Sequence, residues 1–88
     1  MISSLQLRAA RALLRWSAKD LSEASGIGTA TIQRMEVMEG IPSGNIKTFQ
    51  GLRKAFEIAG IDFVGSPETN PGVQLDTKKH QAYLESLK

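Results

Sequence analysis

Gln33 and Arg34 stand side by side in the run Thr29-Ala30-Thr31-Ile32-Gln33-Arg34-Met35-Glu36-Val37, whose apolar residues recur at helical spacing. A carboxamide offers a donor and an acceptor together, and a guanidinium offers a planar fork of donors. These groups match the edges of stacked bases: Arg pairs in bidentate fashion with guanine, and Gln with adenine. At about 100° per residue, Thr29, Ala30, Gln33, Arg34 and Val37 share one helix face. Ile32 and Met35, with Glu36 at the edge, share the other. Gly28, Thr29 and Ala30 are small, so the positive end of such a helix can approach phosphates closely. Ala30 and Val37 suit a thymine methyl group. Taken alone, the face is ordinary, because one Arg and one Gln on a solvated helix require no ligand.

Other chemistries are poorly served. The chain has no cysteine and a single histidine, His80. That removes a disulfide framework, a thiolate zinc site, a cysteine nucleophile and a histidine-rich metal cluster. The carboxylates form no pair with His, Cys or a phosphate-cradling glycine loop, so neither an enzyme site nor a cofactor or metal is expected. No apolar run has the length of a membrane span, and nothing after Met1 resembles a signal peptide. The expectation is a small cytoplasmic domain with no membrane partner and no evident small-molecule ligand. Its 88 residues suffice for one core. The formal charge of +2 is unevenly spread: residues 1–60 carry +3 and residues 61–88 carry −1. A basic part hints at a polyanionic partner, and equally describes a solvated surface.

The surrounding pattern supplies elements to hold that face. Leu7, Ala10 and Leu14 predict a first helix between Ser3 and Arg15. Ser17-Ala18-Lys19-Asp20 is a capping box that opens a second helix over 18–25, with Leu21 and Ala24 inward and Gly26 as its left-handed stop. A third helix runs from Gly28 or Thr29 to Met38, closed by Gly40. After the loop Pro42-Ser43-Gly44, a fourth spans 45–59 with Ile46, Phe49, Leu52 and Phe56 on one stripe. Gly51 costs that helix roughly 1 kcal/mol relative to Ala, which marks either a close helix contact or nothing. Past Gly60 the period changes to two. Ile61–Val64 and Val73–Asp76 read as a hairpin around a long, mobile loop. Such a hairpin is marginal alone, so it rests on the helices or pairs with another chain. From Thr77 the polar tail forms a short helix or frays. Trp16 reads as a packing residue at the first helical corner, His80 as a surface residue.

Two short helices joined by Gly26-Ile27-Gly28 have the spacing of a helix-turn-helix. The run from Arg11 through Ser17-Ala18-Lys19-Asp20-Leu21 and Gly26-Ile27 to Glu36 resembles the Cro/CI/Xre repressor family, and the similarity covers residues 5 to about 60. The resemblance implies a mainly α fold: a four-helix helix-turn-helix domain of the lambda-repressor type over 1–60. A small C-terminal β-hairpin and polar tail follow over 61–88. It also implies operator binding, with the third helix in the major groove. Base-reading positions are then Thr29, Ala30 and Arg34, with Gln33 adjacent. Arg11 and Glu36 occupy the places of a structural ion pair that links the first helix to the reader. The family commonly has Gln where this chain has Ala18, and a Ser or Thr cap where it has Gly28. The phosphate contact of that Gln then falls to Ser17, Lys19 or Arg15.

Further phosphate candidates are Ser43, Gly44, Asn45 and Lys47, with Asn45 equally readable as an N-cap. Arg8, Arg53 and Lys54 read as solvated. One reader helix sees few base pairs, so a homodimer on a palindromic double-stranded operator is expected, its half-sites about 34 Å apart. Ile61, Phe63, Val73, Leu75, Tyr83, Leu84 and Leu87 are the candidate interface, or else merely cover the monomer's core. The principal expectation is a transcriptional regulator, in particular a repressor. The alternative is a protein-interaction module of the antitoxin or antiactivator kind, with DNA binding secondary.

Overall fold

A computed structural model describes residues 1–88. The order is α1 (Ser4–Leu14), α2 (Ala18–Ser25), α3 (Thr29–Val37), α4 (Ile46–Ile58), β1 (Ile61–Val64), β2 (Gly72–Leu75) and α5 (Thr77–Ser86). The fold is mainly helical with one small antiparallel sheet, in which Ile61 pairs with Leu75 and Phe63 with Val73.

Local chemistry sets most boundaries. Ser3 and Gln6 form a capping box on α1, and Ser17 and Asp20 form the expected one on α2. Gly26 ends α2 with φ of 77°, a region open to glycine at no steric cost. Asn45 caps α4, its Oδ1 accepting from the Thr48 amide at 2.8 Å. Asp76 caps α5 in the same way, through the Lys79 amide at 3.0 Å. This last cap accounts for the helical alternative at the tail, which is a fifth helix, and for one departure from the sequence reading: β2 is shifted one residue earlier, because Asp76 leaves the strand to serve the helix.

The core collects Leu7, Ala10 and Leu14 from α1, Leu21 from α2, Ile32 and Met35 from α3, and Phe49, Leu52, Ala55 and Phe56 from α4, with Ile2, Ala59 and Ile61. Two residues expected inward are not. Ala24 is exposed, and Ile46 is 74% exposed because it sits in the first turn of α4, on the flank of the Phe49–Leu52–Phe56 stripe. Gly51 marks a close approach: a Cβ there would come within 3.4 Å of the Ser25 carbonyl oxygen and of Ile27 Cδ1. Thus α4 lies directly against the α2–α3 turn.

The hairpin and α5 pack back onto the helices. The buried Gln6 side chain donates to the carbonyls of Gly72 (3.0 Å) and Val64 (3.4 Å), tying α1 to both strands. Phe63 meets Phe56 edge-on, while Trp16 stacks on Phe56 with ring centroids 5.9 Å apart. The connecting loop is held by its own bonds, with Asn70 accepting from the Ser66 amide at 2.6 Å and donating its own amide to the Ser66 carbonyl at 3.0 Å. His80 is half-buried rather than a free surface group, its Nδ1 lying 2.8 Å from the Ala59 carbonyl oxygen. Arg53 is likewise not simply solvated: its guanidinium lies 5.2 Å from the Phe63 ring centroid.

Candidate nucleic-acid interface

The position of α3 is fixed from beneath. Arg11 Nε donates to Glu36 Oε2 at 2.6 Å and Nη2 to Oε1 at 2.7 Å, a bidentate pair. The remaining Arg11 nitrogen, Nη1, donates to the Trp16 carbonyl at 2.8 Å. One side chain therefore links α1, the α1–α2 corner and α3. The hydrogen bonding of Arg11 to the Glu36 carboxylate is the main cause that raises the Arg11 pKa above its ordinary value, against the opposing effect of burial. The Glu36 side chain is only 8% exposed, so its charge depends on Arg11 for compensation.

Above that clamp the outer face of α3 is open. Thr29, Ala30, Gln33, Arg34 and Val37 are all exposed, Val37 by 82%, while Ile32, Met35 and Glu36 are buried. No acidic residue lies in the first turn, and Arg34 lies in the last. Arg34 enters no ion pair within the chain, and its Nη1 donates to the Met38 sulfur at 3.8 Å. Met38 was not singled out in the sequence, although its position four residues after Arg34 is the signal. Its sulfur also lies 4.0 Å from Ser43 Oγ, so it sits between α3 and the following loop. The other four helices have a side-chain N-cap, but α3, which begins after Gly28, has none. Its first-turn amides thus keep their hydrogen-bonding capacity for an external acceptor such as a phosphate oxygen.

The expected phosphate contacts lie at two places in the chain. Arg15, Ser17 and Lys19 are exposed at the start of α2; Ser43, Gly44, Asn45 and Lys47 are exposed at the start of α4, and Gly28 is exposed before α3. Two of these already have work inside the chain. Ser17 Oγ accepts from the Asp20 amide at 3.0 Å, while the Ser17 amide donates to the Asp20 carboxylate at 2.9 Å. Hydrogen bonding to the Ser17 backbone amide first, and to its side chain second, holds the Asp20 carboxyl below its usual pKa. Asn45 is an N-cap by geometry. Ala18 is half-buried against the core, so the free cations near α2 are Arg15 and Lys19.

The candidate dimer residues divide. Ile61 is fully buried in the monomer and cannot contact another chain. Phe63, Val73, Leu75 and Tyr83 pack against the same core, because the strand face that carries Ile61 and Phe63 on β1 carries Leu75 and Val73 on β2. They cover this chain's own helices. Leu84 (40% exposed) and Leu87 (65%) alone of the set remain open.

No group of three or more His, Cys, Asp or Glu side chains is placed to hold a metal ion. No helix is long and apolar enough to cross a membrane. A helix-turn-helix family model matches residues 7–46. No curated protein matches the chain.

Proposed function

We propose, from the helix-turn-helix family match over residues 7–46, that the chain is a DNA-binding regulator of the Cro/CI/Xre type that reads a specific operator as a homodimeric transcriptional repressor. The observation that carries the reading is the open, acid-free outer face of α3 held on a partly buried ion pair. In this assignment Arg34 and Gln33 contact base edges, and Thr29 and Ala30 sit at the close-approach end. Arg15, Lys19 and Lys47 contact phosphates, with Ser17, Gly28, Ser43 and Asn45 lining their path. Phosphate contacts set register and affinity; the base contacts set sequence.

Dimerisation doubles the length of sequence read and places two copies of α3 about one helical turn apart, near 34 Å. The open Leu84 and Leu87 of α5 are the residues we assign to that pairing. Replacing both by Glu then yields a monomer in sedimentation, with the fold retained.

The test is an anisotropy titration against duplexes selected from random sequence. Arg34→Ala costs about 1–3 kcal/mol on the selected site and relaxes preference at the base it reads. Lys47→Ala weakens binding similarly on every sequence and lowers the salt slope by about one. Equal binding of parent and Arg34→Ala to selected and unselected duplexes removes the base-reading assignment.

A further inference from the structure

A second surface lies between α2 and α5. Trp16, Asp20, Glu23, Ala24 and Tyr83 enclose an open recess of about 310 Å³. Two of its walls are aromatic and preset. The Trp16 indole is fixed by stacking on Phe56, and the Tyr83 ring stands 6.3 Å from it at 58°. Tyr83 in turn stacks on His80, centroids 6.2 Å apart, and His80 is anchored on the Ala59 carbonyl. The rim carries two carboxylates outside the chain's four ion pairs: Asp20, which feels the charge of neighbouring Lys19, and Glu23. Glu23 makes no side-chain bond at all, whereas Asp20 holds the Ser17 cap.

Aromatic faces beside carboxylates attract a cation and repel phosphate, so this recess is unsuited to DNA. A guanidinium suits it better than an ammonium, because it is planar, stacks on rings and forks onto carboxylate oxygens. We propose that the recess receives an arginine side chain presented by a second protein. The docking site uses Trp16 and Tyr83 as stacking walls and Glu23 as the free anion. It shares no residue with the base-reading set and stands whether or not α3 reads DNA.

Trp16 is the only tryptophan, so its emission reports on the recess directly. The full chain is titrated with an acetylated, amidated Gly-Arg-Gly peptide and with its citrulline twin, which keeps the shape and removes the charge. We expect a saturable change in emission with the arginine peptide and none with citrulline. Glu23→Gln, at an exposed position outside the core, weakens the response on the order of fivefold. Arg34→Ala leaves it unchanged. An absent response, an equal response to citrulline or an undiminished one in Glu23→Gln overturns the proposal. So does emission that changes with protein concentration alone and loses that dependence in Glu23→Gln, because the occupant is then a second copy.

Discussion

At the residue scale, the two ends of the Arg11–Glu36 pair are not equivalent. Glu36 is nearly enclosed, whereas the Arg11 side chain is 23% exposed and keeps a second acceptor in the Trp16 carbonyl. Arg11→Met strands a buried carboxylate and should cost about 3 kcal/mol in urea unfolding; Glu36→Gln leaves a cation that reaches water and should cost about 1–2 kcal/mol. Equal losses would mean that the asymmetry of burial is unimportant. Asp20 gives a pH dependence of definite sign. Its folded-state pKa lies below the ordinary value because it accepts from the Ser17 backbone and side chain, so its contribution is present above the ordinary carboxylate pKa. The contribution is lost as pH falls through the folded value, and Asp20→Asn should flatten that acid limb of the stability curve. The pairing of Arg11 with Glu36 came from resemblance, whereas the Ser17–Asp20 box was legible in four consecutive residues. Met38 escaped notice because a thioether carries no charge pattern, and its contact with Ser43 crosses a loop.

At the scale of elements, boundaries were legible wherever one residue dictates them. Ser17, Gly26 and Asn45 mark ends by their own chemistry, and the helices lie between them. The C-terminal third was less readable. Asp76-Thr77-Lys78-Lys79 caps a helix through a single carboxylate, but α5 buries no residue fully, so no apolar stripe announced it. His80 and Gly60 show why that helix forms nevertheless. The Asp76 amide donates to the Gly60 carbonyl at 2.8 Å, and Gly60 adopts φ of 103° where a Cβ would come within 2.8 Å of the His80 backbone nitrogen. Gly60→Ala should therefore destabilise the chain by roughly 1–3 kcal/mol, through strain and the loss of α5 docking. Loss of amide protection in α5 before α1–α4 would locate the damage; loss in α1–α4 with α5 still protected would contradict it.

At the scale of the whole molecule, the hairpin that seemed able to bridge two chains is part of the monomer. Gln6 ties it to α1, and Ile61 lies in the core. Truncation after Gly60 should consequently unfold the helical body rather than release a partner-binding tail, seen as lost cooperativity in thermal unfolding. A truncated chain that melts as sharply as the parent would restore the hairpin as an independent unit. Sequence could not choose between these roles, since an apolar alternation on a strand looks the same whether a neighbouring helix or a second chain covers it. What the sequence did convey was the facing of α3, because a period of about 3.6 residues separates Ile32 and Met35 from Gln33 and Arg34. Backbone amide shifts on adding a selected duplex report most directly whether that outward face meets bases. We expect the perturbations to centre on Thr29–Val37, with a second group at Ser43–Lys47 and little change in β1, β2 or α5. Shifts concentrated in the hairpin or α5 with α3 undisturbed would contradict the central claim.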